Sequence, residues 1–102
     1  MNNKTIIIKN FIEKTYINDT LRSIKYMNDK QQCHRDNDEA SCIGYYEDGS
    51  IEYQHWYKNG KLHRDNDKPA CIIYYKNGSI EYQAWYLMVI NMIKKSVIII
   101  ML

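Results

Sequence analysis

One segment of this sequence occurs twice, and the duplication limits the fold more than any other feature. Residues 34–57 read HRDNDEASCIGYYEDGSIEYQHWY and residues 63–86 read HRDNDKPACIIYYKNGSIEYQAWY, so 17 of 24 aligned positions are identical at an offset of 29 residues. In repeat proteins each copy is one structural unit, and neighbouring units bury a face against each other. The sequence therefore predicts a tandem array of small units.

Partial copies flank the two clear ones. Residues 18–30 resemble the segment that begins at Asp48, and residues 94–100 resemble the start of a strand at 68–74. We divide the chain into an N-terminal cap or first strand at 1–17, a repeat domain at 18–86 (copies 18–33, 34–62 and 63–86) and an apolar tail at 87–102. We interpret the tail as a strand of a partial repeat. The alternatives are a membrane element and a frame-shifted linker at 87–93.

Each clear copy has the pattern of a β-hairpin. In residues 70–86, a β-branched and aromatic run is followed by Asn-Gly and then by a second run with alternating apolar and polar residues. Asn-Gly and Asp-Gly accept the positive φ angles of tight turns, and period-two alternation is typical of strands. We predict an all-β fold, an antiparallel meander of repeated β-hairpins in a single curved sheet. The predicted turn glycines are Gly49, Gly60 and Gly78.

Aromatic residues recur at fixed positions of the two copies. Side chains at equal repeat positions, such as Tyr45 and Tyr74, are expected to form columns, and cross-strand aromatic pairs each add about 0.2–1 kcal/mol. Aromatic residues are also common anchors of protein interfaces. The alternative is that the columns only hold the sheet together. The predicted interaction surface comprises Tyr53, Trp56, Tyr57, Tyr82, Trp85 and Tyr86.

The motif His-Arg-Asp-Asn-Asp begins both copies. His-Arg-Asp imitates the catalytic loop of protein kinases, but the chain is too short for a kinase and has no glycine-rich loop. The clustered aspartates do not have the spacing of an EF-hand calcium loop. We favour a structural interpretation, in which Asp and Asn side chains bond the local backbone in turns and nearby arginines pair with the carboxylates. The turn residues are Asp36, Asp38, Asp65 and Asp67.

The three cysteines lack the paired spacing of a zinc site. Cys42 and Cys71 occupy equal repeat positions, and Cys33 aligns with Leu62, so we interpret all three as small apolar side chains. An odd number of cysteines, together with an apolar run of only Ile6 to Ile8 near the N-terminus, predicts an intracellular, reducing compartment.

Charge is unevenly distributed along a chain whose net charge is +2. Residues 34–86 carry six basic and nine acidic side chains, whereas residues 1–33 carry six basic and three acidic ones. Phosphate binding needs a basic stripe, so the acidic repeat region argues against nucleic acid as a partner. No residue pattern points to a cofactor or a small-molecule substrate, and we expect that the chain is not an enzyme.

The segment WYKNGKLHRDNDKPACIIYYKNGSIEYQAWY at 56–86 resembles the MORN-like (membrane occupation and recognition nexus) tandem repeats of many giant DNA virus proteins. The resemblance covers residues 18–86 and departs from true MORN repeats in its sparse glycine. It implies a β-hairpin array for protein interaction or scaffolding, without catalytic residues, in a host cytoplasm or virion. The alternatives are peripheral binding to anionic lipid and a decayed repeat paralogue with no selected function.

Overall fold

A computed structural model describes residues 3–87 and 97–101, and these residues form β-strands and turns. Eight strands form one sheet in the order β1-β2-β3-β4-β5-β8-β9-β10, while β6 and β7 form a separate ribbon, and neighbouring strands pair antiparallel. The prediction of an all-β antiparallel meander is confirmed. The strands are β1 (Lys4–Lys9), β2 (Ile12–Ile17), β3 (Thr20–Tyr26), β4 (Cys42–Tyr45), β5 (Ile51–His55), β6 (Tyr57–Lys58), β7 (Lys61–Leu62), β8 (Cys71–Tyr74), β9 (Ile80–Leu87) and β10 (Val97–Met101).

Two-residue turns join several of these strands. Asn18 and Asp19, between β2 and β3, have φ angles of 51° and 66°, and Asn59 and Gly60, between β6 and β7, have φ angles of 49° and 82°. Type I′ turns need positive φ at both central residues, which Asn, Asp and Gly tolerate best, and their twist matches that of the flanking strands. The local residue types thus explain why the chain reverses at these points.

The hairpins β4–β5 and β8–β9 have a longer turn, in which the glycine has positive φ and the residue before it does not. Gly49 and Gly78 have φ angles of 92° and 91°. The Asp48 and Asn77 side chains each accept a hydrogen bond from the backbone N–H two residues later, at 2.9 Å. A left-handed glycine after a type I turn, with a bulge nearby, is a frequent hairpin connection. The predicted turns are present, although their loops are longer than a tight Asn-Gly turn.

A hydrophobic core cluster lies on one face of the sheet, over its central strands. Ala40, Trp56 and Ile72 are the buried residues of this core, and Ile43 and Tyr74 pack against them. Because Ile43 and Ile72 both pair with Gln54, the two isoleucines project on the same face as the Gln54 side chain. The core is small, as expected for a chain of this length.

Equal repeat positions do not lie on neighbouring strands, and the prediction of directly stacked columns is therefore wrong. Tyr53 pairs with Ile73, and Ile73 pairs with Tyr82. Since each hairpin contributes two strands, equivalent tyrosines are separated by about 9.5 Å, which is twice the strand spacing. Aromatic contacts run along the chain instead, with ring centroids 4.8 Å apart for Tyr53 and His55 and 6.2 Å apart for His55 and Tyr57.

Both ends of the described chain contribute strands. β1 and β2 occupy the segment for which we expected a cap or first strand, and β1 is the outermost strand on that side. In the tail, Val97–Met101 form β10, which pairs antiparallel with β9. The predicted frame-shifted linker lies outside the described residues, apart from Leu87 at the end of β9.

Candidate functional site

An arginine of each HRDND motif covers an aromatic ring of the preceding copy. The guanidinium carbon of Arg64 lies 3.8 Å from the centroid of the Trp56 ring, and that of Arg35 lies 3.7 Å from the centroid of the Tyr26 ring. Each arginine also donates a hydrogen bond of 3.1 Å to a carbonyl oxygen five residues later, at Pro69 and Ala40 respectively. We call these two contacts the arginine clamps, and they join consecutive copies.

The histidines of the motif make repeated pairs with aspartates. His63 Nε2 lies 2.7 Å from Asp65 Oδ1, and the corresponding distance between His34 and Asp36 is 3.0 Å. The backbone N–H of Asn59 donates to His34 Nδ1 at 2.9 Å, which places the proton of a neutral ring on Nε2. A catalytic histidine needs its second nitrogen free to take a proton from a nucleophile. In His34 that nitrogen is already occupied, so this His–Asp pair cannot act as a general base.

His63 differs from His34 at one atom. Its Nδ1 is buried and has no hydrogen-bond partner among the described residues. At the 29-residue offset, the position equivalent to Asn59 is residue 88, which lies outside the described part of the chain. The contrast between the two histidines therefore follows the repeat register.

Asp38 receives cations from the next copy. Its carboxylate accepts hydrogen bonds from Arg64 Nε and from Lys68 Nζ, both at 2.9 Å. The hydrogen bond from Arg64, followed by that from Lys68, lowers the pKa of Asp38 from 3.8 to about 2. The Asp38 carbonyl oxygen also accepts a hydrogen bond from Trp56 Nε1 at 3.1 Å. The cleft of about 110 Å³ between the two HRDND motifs is thus lined by groups that bind one another.

The aspartate segments of both motifs are turns. Asn37 and Asp38 have φ angles of 63° and 58°, and Asn66 and Asp67 have φ angles of 64° and 57°. Asp36 lies before the first of these turns, and Asp65 lies before the second. Within residues 3–87 and 97–101, no group of three His, Cys, Asp or Glu side chains is arranged to hold a metal ion.

The Asp38 ion pairs are expected to make stability depend on pH in the acid range. Because the pKa of Asp38 is lower in the folded chain, the ion pairs stabilise it above about pH 4, and this contribution is lost as pH falls towards 2. The carboxylate is 40% exposed, so we expect Asp38→Asn to cost only about 0.5–1 kcal/mol at pH 6. Urea unfolding at pH 6, 4 and 2 measures this loss. In an Arg64→Gln background the destabilisation caused by Asp38→Asn should be smaller. A destabilisation by Asp38→Asn that is as large at pH 2 as at pH 6 would contradict the prediction.

The aromatic residues of the predicted interaction surface are divided between core and surface. Trp56 is only 7% exposed, so its place on an interaction surface is wrong: the ring lies between Arg64 and the apolar core. Trp85 is partly exposed and donates to the Asp67 carbonyl oxygen at 2.8 Å. Tyr53, Tyr57 and Tyr82 are partly exposed as well, whereas the side chain of Tyr86 lies outside the described part of the chain.

The most exposed apolar surface among the described side chains was not predicted from the sequence. Every residue of β1 is exposed, and Ile6, Ile7 and Ile8 are 50%, 51% and 62% exposed. Phe11, which follows β1 in the adjoining turn, is 48% exposed. The sequence KTIIIK nevertheless indicates an edge strand, because lysines at both ends of a short β-branched run are typical of edge strands.

Comparisons with known proteins do not assign a function to these residues. No protein-family model, curated protein or solved structure matches the chain. The resemblance to MORN-like repeats therefore stays a prediction from the residues at 56–86. Across the residues that the structure covers, no helix has the length and apolar character needed to cross a membrane.

Proposed function

We propose that the chain is a non-enzymatic protein-interaction module of the MORN-like repeat type, which binds an extended segment of a partner protein along β1. The observation that carries the proposal is that β1 is an outermost strand with exposed apolar side chains on both faces. An unpaired strand edge is a ready template for another strand, and many domains bind peptides by adding a strand in this way.

The backbone of β1 supports this mode of binding. The backbone N–H of Asn18 donates to the carbonyl oxygen of Asn3 at 2.8 Å, and the register continues as Lys4 with Ile17 up to Lys9 with Ile12. In an antiparallel pair, hydrogen-bonded and non-hydrogen-bonded positions alternate. The odd-numbered residues of β1 therefore bond to β2, and Ile6 and Ile8 direct their N–H and C=O groups away from the sheet.

The side chains of β1 define the chemistry of the partner. Ile6 and Ile8 project on one face and Ile7 on the other, so an added strand would cover apolar surface on both faces. Fully burying an isoleucine contributes about 1.5–3 kcal/mol. The exposed Lys4 and Lys9 flank these isoleucines and favour acidic residues at the ends of the bound segment. The expected ligand is an extended apolar segment with acidic flanks.

The test uses the full chain and a displayed library of unstructured twelve-residue peptides. We expect selected peptides to contain alternating apolar residues, and we expect Ile6→Pro to weaken their binding at least tenfold in fluorescence anisotropy. Proline at this position removes an outward N–H and leaves the bonds between β1 and β2 in place. Ile6→Thr tests the side chain, and Ile80→Thr is the matched control, because Ile80 is 46% exposed in a different hairpin.

Two results would contradict the proposal. One is a selection without enriched peptides, and the other is binding that both Ile6 variants leave unchanged while circular dichroism shows them folded. Vesicles containing phosphatidylserine serve as a second probe. Flotation of the wild-type chain and of Ile6→Pro alike, with no peptide binding, would favour the lipid alternative over strand addition.

A further inference from the structure

Two of the three cysteines lie side by side, although they are nine residues apart in sequence. The Sγ atoms of Cys33 and Cys42 are separated by 2.8 Å, which is shorter than van der Waals contact between sulfur atoms. Cys33 pairs with Met27, and Cys42 pairs with Lys25, which lies two residues before Met27. Alternate residues of a strand face the same side of a sheet, so this register directs both thiols to one side.

The surroundings of the pair favour ionisation of one thiol. Either thiol can donate in this contact, and a hydrogen bond donated by Cys42 lowers the pKa of Cys33, as does the charge of Lys25. The thiolate is the form that reacts with oxidants. Both cysteine side chains are partly exposed, so a small oxidant can reach them.

We propose that Cys33 and Cys42 are a peroxide-sensitive pair that forms a reversible intramolecular disulfide. The Cys33 thiolate attacks hydrogen peroxide, the O–O bond breaks, and the released hydroxide takes up a proton to leave as water. The Cys42 sulfur then displaces the hydroxyl of the Cys33 sulfenic acid, which leaves with the Cys42 proton as a second water. The peroxide gains the two electrons that the thiols lose. A disulfide bond is about 2.05 Å long, so the sulfurs approach by less than about 1 Å.

The disulfide encloses the first HRDND motif. Residues 34–41 lie between the two cysteines and include Arg35, whose guanidinium covers Tyr26. The Cys33 carbonyl oxygen also accepts a hydrogen bond from the Gly60 N–H at 2.8 Å. Oxidation therefore fixes the segment at which copies 18–33 and 34–62 meet.

An equivalent pair of positions occurs one repeat later, but only one of the two residues there is a cysteine. Leu62 pairs with Tyr57, and Cys71 pairs with His55, so Leu62 and Cys71 have the register of Cys33 and Cys42. Burial raises the pKa of Cys71. Cys71 is thus an internal control, and we expect it to stay reduced under conditions that oxidise the pair.

The test treats the reduced full chain with one equivalent of hydrogen peroxide, alkylates the remaining thiols, and maps tryptic peptides by mass spectrometry. We expect a disulfide between peptides 31–35 and 36–58, an alkylated Cys71, and recovery of three thiols after dithiothreitol. The pair should react at least about tenfold faster than Cys71. With two equivalents of peroxide, Leu62→Cys should create a second disulfide, to Cys71, because the register is the same.

Control experiments test whether disulfide formation depends on the folded arrangement of Cys33 and Cys42. In Cys42→Ser we expect no intramolecular disulfide and a Cys33 sulfenic acid that dimedone traps. Equal alkylation of the three thiols after peroxide overturns the proposal, as does a main product that links two chains through Cys71. Formation of the 31–35 to 36–58 disulfide at the same rate in urea also overturns it, because the fold would then contribute nothing.

Discussion

Replacing Trp56 with alanine is expected to lower the free energy of unfolding by about 3–5 kcal/mol. Trp56 is the largest side chain of the core and packs with Ala40 and Ile72. The substitution removes its indole and the hydrogen bond to Asp38, and it leaves the Arg64 guanidinium without its ring. For a chain of this size the melting temperature should fall by about 12 °C or more. Urea unfolding followed by circular dichroism measures the loss.

Trp85→Ala is the matched control for Trp56→Ala. Trp85 occupies the equal repeat position and donates an equivalent hydrogen bond to Asp67, but its side chain is partly exposed. We expect a loss of about 1–2 kcal/mol, since less apolar surface leaves water at this site. Equal losses for the two variants would mean that burial of Trp56 in the core does not determine its contribution.

The second large effect is expected for Gly44→Ile, which introduces the residue found at the equal position of the next copy, Ile73. The ring of Tyr53 lies directly over Gly44, and a Cβ added there would overlap the ring carbons. Tyr53 would have to rotate and lose its stacking on His55. Overpacking of this kind costs about 1–3 kcal/mol, measured by urea unfolding. The two copies therefore cannot exchange this residue freely, although they are otherwise similar.

A double-mutant cycle separates overlap from other effects of isoleucine. In Gly44→Ile combined with Tyr53→Ala, the ring that causes the overlap is absent. We expect the double variant to lose less stability than the sum of the single variants, with a coupling of about 1 kcal/mol or more. Additive losses would show that the overlap with Tyr53 is not the cause.

Local features were predictable from the sequence, because their causes are local. Gly49 and Gly78 follow Asp and Asn in a setting where a hairpin must turn, and both have positive φ. The strand pattern likewise follows from alternation within five or six residues. The separate ribbon β6–β7 could not be predicted, since it depends on Trp56 entering the core and interrupting the strand that ends at His55.

The contacts between copies could not be predicted, because their partners are set by strand register. We expected the Arg35 side chain to pair with an aspartate of the motif, whereas it binds the Glu39 carboxylate at 3.3 Å. Its position over Tyr26 depends on how β3 and β4 align. The contact between Cys33 and Cys42 could not be predicted either, because the alignment of the copies led us to interpret each cysteine as a separate apolar side chain.

The arginine clamps have a consequence for how a chain of this type can change length. Copy 34–62 supplies Arg35 to the ring before it and offers the Trp56 ring to the arginine after it, so gain or loss of a whole unit of this kind leaves an arginine over an aromatic ring at each remaining joint. A deletion of a few residues between the aromatic residue and the following HRDND motif removes an arginine clamp completely. Recombination in whole repeats is therefore nearly neutral for the fold, whereas small deletions within the connecting segment are not. Natural variation among such chains should be concentrated in unit number rather than unit length.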